Sequence, residues 1–322
     1  MKSLLKFVAA VVPLCLSFAA AAEWPEKPIR VIVPYTAGVG GDIMMRFISD
    51  DLAKRLGQPI VVDNREGAGG NVGVMLAAKS PADGYTFLVG QTSNFVINHL
   101  LYKSFNVEPP KAFVPVIHMG NTPSVLLTNL NVPANDVKAF LAAAKAQKGK
   151  LNFGSPGVGT PVHLTLAALN SKFDLGMASI SYRGATQVLT GVVSGELNLG
   201  FALQGQAQTF IDTGRVRPLA VLGSSRLPAL PNTPTFDEAG LENVGGETWW
   251  AMVAPVGTPT AIVDRMNAAV RQALTAPDVR KRLEDMGVFP IASTREEITQ
   301  KFGREAAHWA RTVKDLNIPV LE

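Results

Sequence analysis

Cysteine is almost missing: the 322-residue sequence carries one, Cys15, and charged side chains make up only 17% of it. A single cysteine excludes a disulfide scaffold. The charge content lies below the roughly 25% usual for soluble chains. No Lys/Arg cluster interleaved with aromatics is present, so a nucleic-acid partner is not expected. The four histidines, His99, His118, His163 and His308, have no metal-ligand spacing, and no acid or thiol cluster completes one. No metal and no cofactor are therefore expected. Beyond residue 22 no apolar run approaches the roughly 18 residues of a membrane-spanning helix. What the chain does have is apolar bulk, 47% hydrophobic residues, which rules out disorder. At about 150 residues per domain, its length suggests two domains.

The N-terminus reads as an export signal. Lys2 and Lys6 precede the apolar run Phe7 to Ala19, which closes on Ala20-Ala21-Ala22 before Glu23. A basic start, a short apolar stretch and small residues at its end make a secretory signal peptide, residues 1–22, cut after Ala22. Leu14 before Cys15 argues against a lipoprotein. Cleavage removes the only thiol and lowers the formal charge from +4 to +2, too little to steer a partner from a distance.

After Trp24-Pro25, β-rich runs alternate with helical patterns: Ile29 to Val33 then Ile43 to Leu56, Ile60 to Val62 then Val72 to Lys79, Thr86 to Val89 then Phe95 to Leu101. A second alternating series runs from Ser124 to Leu222, and a third apolar run spans Trp249 to Ala254. The rest is helical, ending in Arg295 to Val313, where Ile298, Phe302, Ala306, Trp309 and Val313 form a stripe to be buried. Strand–helix alternation predicts an α/β protein with mostly parallel sheets. A first domain interrupted by a second accounts for the order.

Four strand-to-helix junctions carry donor-rich turns. The first is Pro34-Tyr35-Thr36-Ala37-Gly38-Val39-Gly40-Gly41-Asp42, where glycines let backbone N–H groups approach an anion and Asp42 reads as a helix N-cap. It lacks the Lys of a phosphate loop and the third Gly of a dinucleotide fingerprint. The others are Gly90-Gln91-Thr92-Ser93-Asn94, Gly154-Ser155-Pro156-Gly157-Val158-Gly159-Thr160 ahead of Pro161, and Tyr182-Arg183-Gly184-Ala185-Thr186. His163, one turn on, reads as packing. Ser155 does not sit in a Gly-x-Ser-x-Gly elbow, and no carboxylate pair stands out. A ligand cleft fed by two turns from each half is the expectation.

With these segments placed, the chain resembles the periplasmic receptors of tripartite tricarboxylate transporters, the Bug family. The resemblance rests on ordered motifs along nearly the whole mature chain. They are Trp24-Pro25-x-Lys27-Pro28-Ile29-Arg30-x-Ile32-Val33-Pro34, Asn64-Arg65-x-Gly67-Ala68-Gly69-Gly70-Asn71, Pro81-x-Asp83-Gly84-Tyr85-Thr86, Gly149-Lys150-Leu151-Asn152, Gly154-Ser155-x-Gly157-x-Gly159-Thr160, Tyr182-x-Gly184-Ala185 and Leu230-Pro231-x-Thr233-Pro234-Thr235.

The resemblance implies a two-domain periplasmic binding protein fold: domain I from 23–123 and 247–322, domain II from 124–246, two mixed, mostly parallel sheets joined by two crossover strands. It also implies a monomeric, non-enzymatic receptor that delivers a small organic acid, a di- or tricarboxylate or an aromatic acid, to a membrane permease. Carried over by motif, the ligand contacts are Tyr35, Thr36, Ala37, Gly40, Asp42, Ser93 and Asn94 from domain I. Domain II supplies Ser155, Gly159, Thr160, Tyr182, Gly184 and Ala185. Tyr35 stands where Phe is more usual. Ala202-Leu203-Gln204 stands where many relatives have an Asp that faces an amino-acid ammonium, which argues against an amino-acid ligand. Phe95, Trp249 and Trp250 are either flanks for an aromatic acid or packing. Two alternatives remain: a ligand sensor for a membrane signalling partner, and a hydrolase using Ser155 or His163.

Overall fold

The computed structural model describes residues 24–182, 184–242, 244–318 and 320–321, so the signal segment and Arg183 lie outside the described residues. The first lobe begins with β1 (Ile29–Val33), α1 (Gly40–Leu56), β2 (Ile60–Asn64), α2 (Asn71–Ala78), β3 (Thr86–Gln91), short helices α3 (Asn98–Leu101) and α4 (Pro109–Ala112), and β4 (Phe113–Thr122). The second lobe follows as β5 (Ser124–Asn129), α5 (Val137–Ala146), β6 (Asn152–Ser155), α6 (Pro161–Lys172), β7 (Ala178–Ser181), α7 (Ala185–Ser194), β8 (Leu199–Leu203), α8 (Gln204–Asp212) and β9 (Val216–Leu222). The chain then returns to the first lobe with β10 (Thr248–Pro255), α9 (Thr260–Thr275), α10 (Pro277–Asp285), β11 (Phe289–Pro290) and α11 (Arg295–Asp315).

Each lobe has a mixed sheet, ordered β11-β4-β10-β3-β1-β2 and β7-β6-β8-β5-β9. The parallel parts, β2-β1-β3 and β7-β6-β8, belong to the strand–helix units. The antiparallel parts are built on the strands that carry the chain between lobes. Buried β1, Ile-Arg-Val-Ile-Val, reads as an interior parallel strand covered on both faces. Helix α1 buries Met44, Met45, Ile48, Leu52 and Leu56 at helical spacing and stops at Gly57, whose left-handed φ of 78° lets its N–H return to Ala53 O. Helix α11 opens with a Thr294/Glu297 capping box and buries Ile298, Phe302 and Trp309, with Ala306 and Val313 at the edge of that core.

Two contacts tie the lobes together through apolar packing. Leu164 of α6 is fully buried in the first lobe's cluster, which includes Leu101, Trp249 and Trp309. In return, Phe289 of β11 packs against the second lobe's cluster of Leu227, Leu230 and Val221.

The chain crosses at Pro123, between Thr122, which pairs with Thr248, and Ser124, which pairs with Leu222. Beside this point Glu247 Oε1 accepts a 2.6 Å hydrogen bond from Asn121 Nδ2, and Asn121 Oδ1 lies 2.7 Å from His118 Nε2. The two passes of chain between the lobes are thus linked by a buried polar chain. Glu247 Oε2 is buried without a well-formed hydrogen bond among the described residues. Burial pushes the Glu247 carboxyl up to about 7; Lys301 opposes this, Glu305 adds to it, and the Ser224 N–H pulls weakly the other way. Burial and Lys301 push His118 down to about 4.

These shifts have opposite consequences for stability. The contribution of Glu247 is complete below the unfolded value of 4.5 and is lost as pH rises through about 7. That of His118 is present above 6.5 and lost as pH falls through about 4. Glu247→Gln keeps the acceptor and removes the charge. Relative to the parent, its unfolding free energy in urea should therefore rise between pH 4.5 and 8, by at most about 3 kcal/mol. Equal pH profiles for the two proteins would contradict the assignment.

Candidate functional site

Four helices of eight or more residues point their N-termini at one cavity of about 310 Å³ between the lobes. From the first lobe, Gly38, Val39, Gly40 and Ile43 at the start of α1 line it. From the second come Thr160 and Pro161 at α6, Ala185 at α7, and Leu203 and Gln206 at α8. Helices α1, α7 and α8 have no side-chain cap, so their first-turn N–H groups are not taken by a capping side chain. Each N-terminus carries partial positive charge, about half an elementary charge. No Lys, Arg, His, Asp or Glu is among the described residues lining the cavity. Attraction for an anion here comes from oriented peptide dipoles and neutral donors.

The sequence-derived positions separate into wall and support. Tyr35, Gly40, Thr160 and Ala185 line the cavity; Thr36 and Ala37 are exposed at the turn before α1. Gly40 is close enough to the floor that a Cβ there would lie 2.7 Å from Trp250 Nε1. Asp42 is not the helix cap. Val39 holds that position, and Asp42 lies two residues inside the helix. Buried to 1% exposure, its carboxylate accepts from Gly38 N (2.8 Å), Arg46 Nε and Asn64 Nδ2 (3.0 Å) and fixes the turn. Burial acts to raise its pKa, but the Arg46, Gly38 and Asn64 hydrogen bonds outweigh this and hold it below the ordinary 3.8.

Ser93 and Asn94 are buried in a wide turn, Ser93–Ile97. Asn94 Oδ1 accepts from Gln91 N (2.9 Å) and the Tyr35 hydroxyl (3.0 Å), and Gln91 Nε2 donates to that hydroxyl at 2.7 Å. Asn94 therefore positions Tyr35 rather than facing the cavity. Burial pushes the Tyr35 phenol well above its usual value, so it stays protonated.

Ser155 is fully buried and its Oγ donates to Gly157 O (3.0 Å). Thr160 caps α6, accepting from His163 N and donating to Gly157 O (2.9 Å). His163 Nδ1 accepts from Gly159 N (3.3 Å). Serine and histidine are each committed to shaping this loop, which removes the geometric basis for hydrolysis. Gly159 has φ +81°, and a Cβ there would meet Leu101 of the first lobe at 2.7 Å. The Tyr182 hydroxyl donates to Glu196 (2.7 Å), away from the cavity-lining residues, while its backbone N–H donates to Ser155 O (2.8 Å). Gly184 is the extended residue before α7.

Sequence reasoning missed part of the wall. Leu203 enters the sequence reading only as a position without the Asp of many relatives, Gln206 follows the lone Gly205 inside α8, and Met286-Gly287-Val288 follows a helix rather than a strand. Of the three aromatics, Trp250 lines the cavity, edge-on to Tyr35 at 5.7 Å. Phe95 and Trp249 instead stack on each other at 5.9 Å inside the first lobe's core.

Residues 44–318 match the model of the tripartite tricarboxylate transporter family receptor. The chain is 34% identical over 297 residues to the UPF0065 protein in the tcbD-tcbE intergenic region of Pseudomonas sp. (strain P51), covering 92% of this chain and 88% of that protein. Among solved structures it is similar to Rpa4515 of R. palustris with adipate, with a TM-score of 0.79, 29% identity, and coverage of 93% of this chain and 100% of the other. MatC from Rhodopseudomonas palustris with bound malate gives 0.75 and 30% identity, covering 90% of this chain and 100% of the other.

Asp42→Asn is expected to cost about 1–3 kcal/mol at pH 7, because a hydrogen-bonded buried carboxylate is replaced by an amide that cannot accept from all three donors. The contribution exists above the unfolded value of 3.8 and is lost as pH falls through the lower folded value. Urea titrations should therefore show parent and variant converging at low pH; a constant gap would contradict this.

Proposed function

The chain belongs to the tripartite tricarboxylate transporter receptor family, and from that premise we propose that it is a periplasmic receptor that captures a small organic acid between its lobes and passes it to a membrane permease. The observation that carries this reading is the convergence of four helix N-termini on a cavity with no charged side chain among its described wall residues. Such a wall solvates a carboxylate with dipoles held in place by the fold, so little reorganisation accompanies binding. The adipate and malate named with the two solved relatives fit the same chemistry.

The closing bodies are residues 23–123 with 247–322, and 124–246. Direct contacts come from Tyr35, Gly40, Thr160 and Ala185, with backbone donors at the starts of α1, α7 and α8. Thr36 and Ala37 cover the mouth, Asp42, Asn94, Ser155, Gly159, Tyr182 and Gly184 hold these turns in place, and Ser93, whose buried Oγ has no partner among the described residues, packs in the turn after β3. Ala202 and Leu203 line the wall at the end of β8, so an ammonium group finds no carboxylate there and an amino acid is disfavoured. The protein is exported by its first 22 residues and works as a monomer. Ligand favours the closed form by binding it better than the open one.

Calorimetry of the mature chain against a panel of organic acids should find at least one that binds and raises the melting temperature. Ala185→Asp places a carboxylate at the first residue of α7, where it competes with the ligand for the same N–H groups. It should weaken binding by roughly tenfold or more while leaving the circular dichroism spectrum unchanged. No binding to any acid by a folded parent protein would overturn the reading.

A further inference from the structure

Two large apolar side chains that the fold leaves exposed face the same cavity from opposite lobes. Leu203, the last residue of β8 and the one that precedes α8, is 37% exposed, and Met286, just after α10, is 49% exposed. Between them the wall continues with Ile43, Phe201, Trp250 and Val288. Apolar surface left wet in a cleft gains free energy when a hydrocarbon covers it, about 25 cal/mol for each Å².

Four polar side chains of the wall, Thr122, Thr160, Tyr35 and Gln91, are occupied by neighbouring protein groups, while Ser124, Gln206 and Thr248 make no side-chain hydrogen bond among the described residues and are open to the ligand's carboxylates. Thr122 Oγ1 accepts from Trp250 Nε1 (3.2 Å) and reaches Thr248 O (3.5 Å). Thr160 Oγ1 is bound on both sides by its own loop. The Tyr35 hydroxyl and Gln91 amide bond each other, and that hydroxyl also donates to Asn94. A hydroxyl on the part of the ligand body that Leu203 and Met286 cover would lose water and gain no partner from those two side chains.

We propose, resting on the receptor reading above, that Leu203 and Met286 are specificity residues that close on the ligand's carbon body and select acids whose skeleton is unsubstituted hydrocarbon, alkyl or aryl, over hydroxylated acids. Helix N-termini take the carboxylate; the two side chains take the body. Each buried hydroxyl left without a partner reduces affinity by about tenfold.

The test compares matched pairs by calorimetry on the mature chain: succinate with tartrate, adipate with galactarate, 3-phenylpropionate with 3-phenyllactate. The tightest binder should be a hydrocarbon acid, with its hydroxylated counterpart at least tenfold weaker. Leu203→Asn and Met286→Gln should each weaken the hydrocarbon member severalfold and shrink the ratio within the pair, and Leu203→Met should restore it. A fall in affinity with the ratio unchanged in both variants would mark a merely structural role and overturn the proposal. A hydroxylated acid that binds as tightly as its counterpart, or tighter, would overturn it while leaving the receptor reading intact. Absence of binding by every acid would instead remove the receptor reading on which it rests.

Discussion

An anion held without a countercharge must be met by dipoles that cannot turn away. The described wall of the cavity between the lobes offers only such dipoles and neutral donors, and the placing of its turns accords with that constraint. Peptide N–H groups at the starts of α1, α7 and α8 serve only if the strands before them end at the same level and face one another. The two sheets supply this, with their parallel portions ending at the cleft, while the antiparallel strands β4, β5, β9 and β10 carry the chain between lobes. The second requirement is stiffness in the turns. Asp42 supplies it for the first turn by gripping Gly38, and the Ser155, Thr160 and His163 hydrogen bonds supply it for the α6 turn. Polar residues that read in sequence as ligand donors are largely occupied in holding the main chain of these turns.

The two halves are also fastened by exchange of apolar side chains. Leu164 leaves its own lobe to join Trp249 and Trp309, and Phe289 does the same in the other direction. Separation of the lobes would expose both. This packing by itself holds the lobes in the arrangement described.

Much of this was legible in the chain. Alternating strand and helix patterns gave the α/β class, and the buried stripe of α11 followed from its spacing. Strand β4 escaped notice because Pro115 interrupts it, where the chain tolerates proline beside a register shift against β10. Helix α8 begins at Gln204, directly after β8, with no turn signal in Ala202-Leu203 to mark its start. Local signals find the glycine turns but misplace the cap of α1, which is Val39 and not Asp42. They miss Met286, and they say nothing of its facing Leu203, which arises only when two remote segments are brought together.

The hydroxyl of Tyr35, the Gln91 amide, Asn94 and the carbonyl of Gly69 form one connected chain beside the cavity, with Asn94 Nδ2 closing onto Gly69 at 3.3 Å. Because each member satisfies another, replacement of Tyr35 by phenylalanine strands an amide that the rest of the wall was arranged to accommodate. Such positions are epistatic: natural drift or laboratory selection toward a new cargo has to travel through Tyr35, Gln91 and Asn94 as a correlated block, and a library that randomises them singly samples mostly frustrated intermediates.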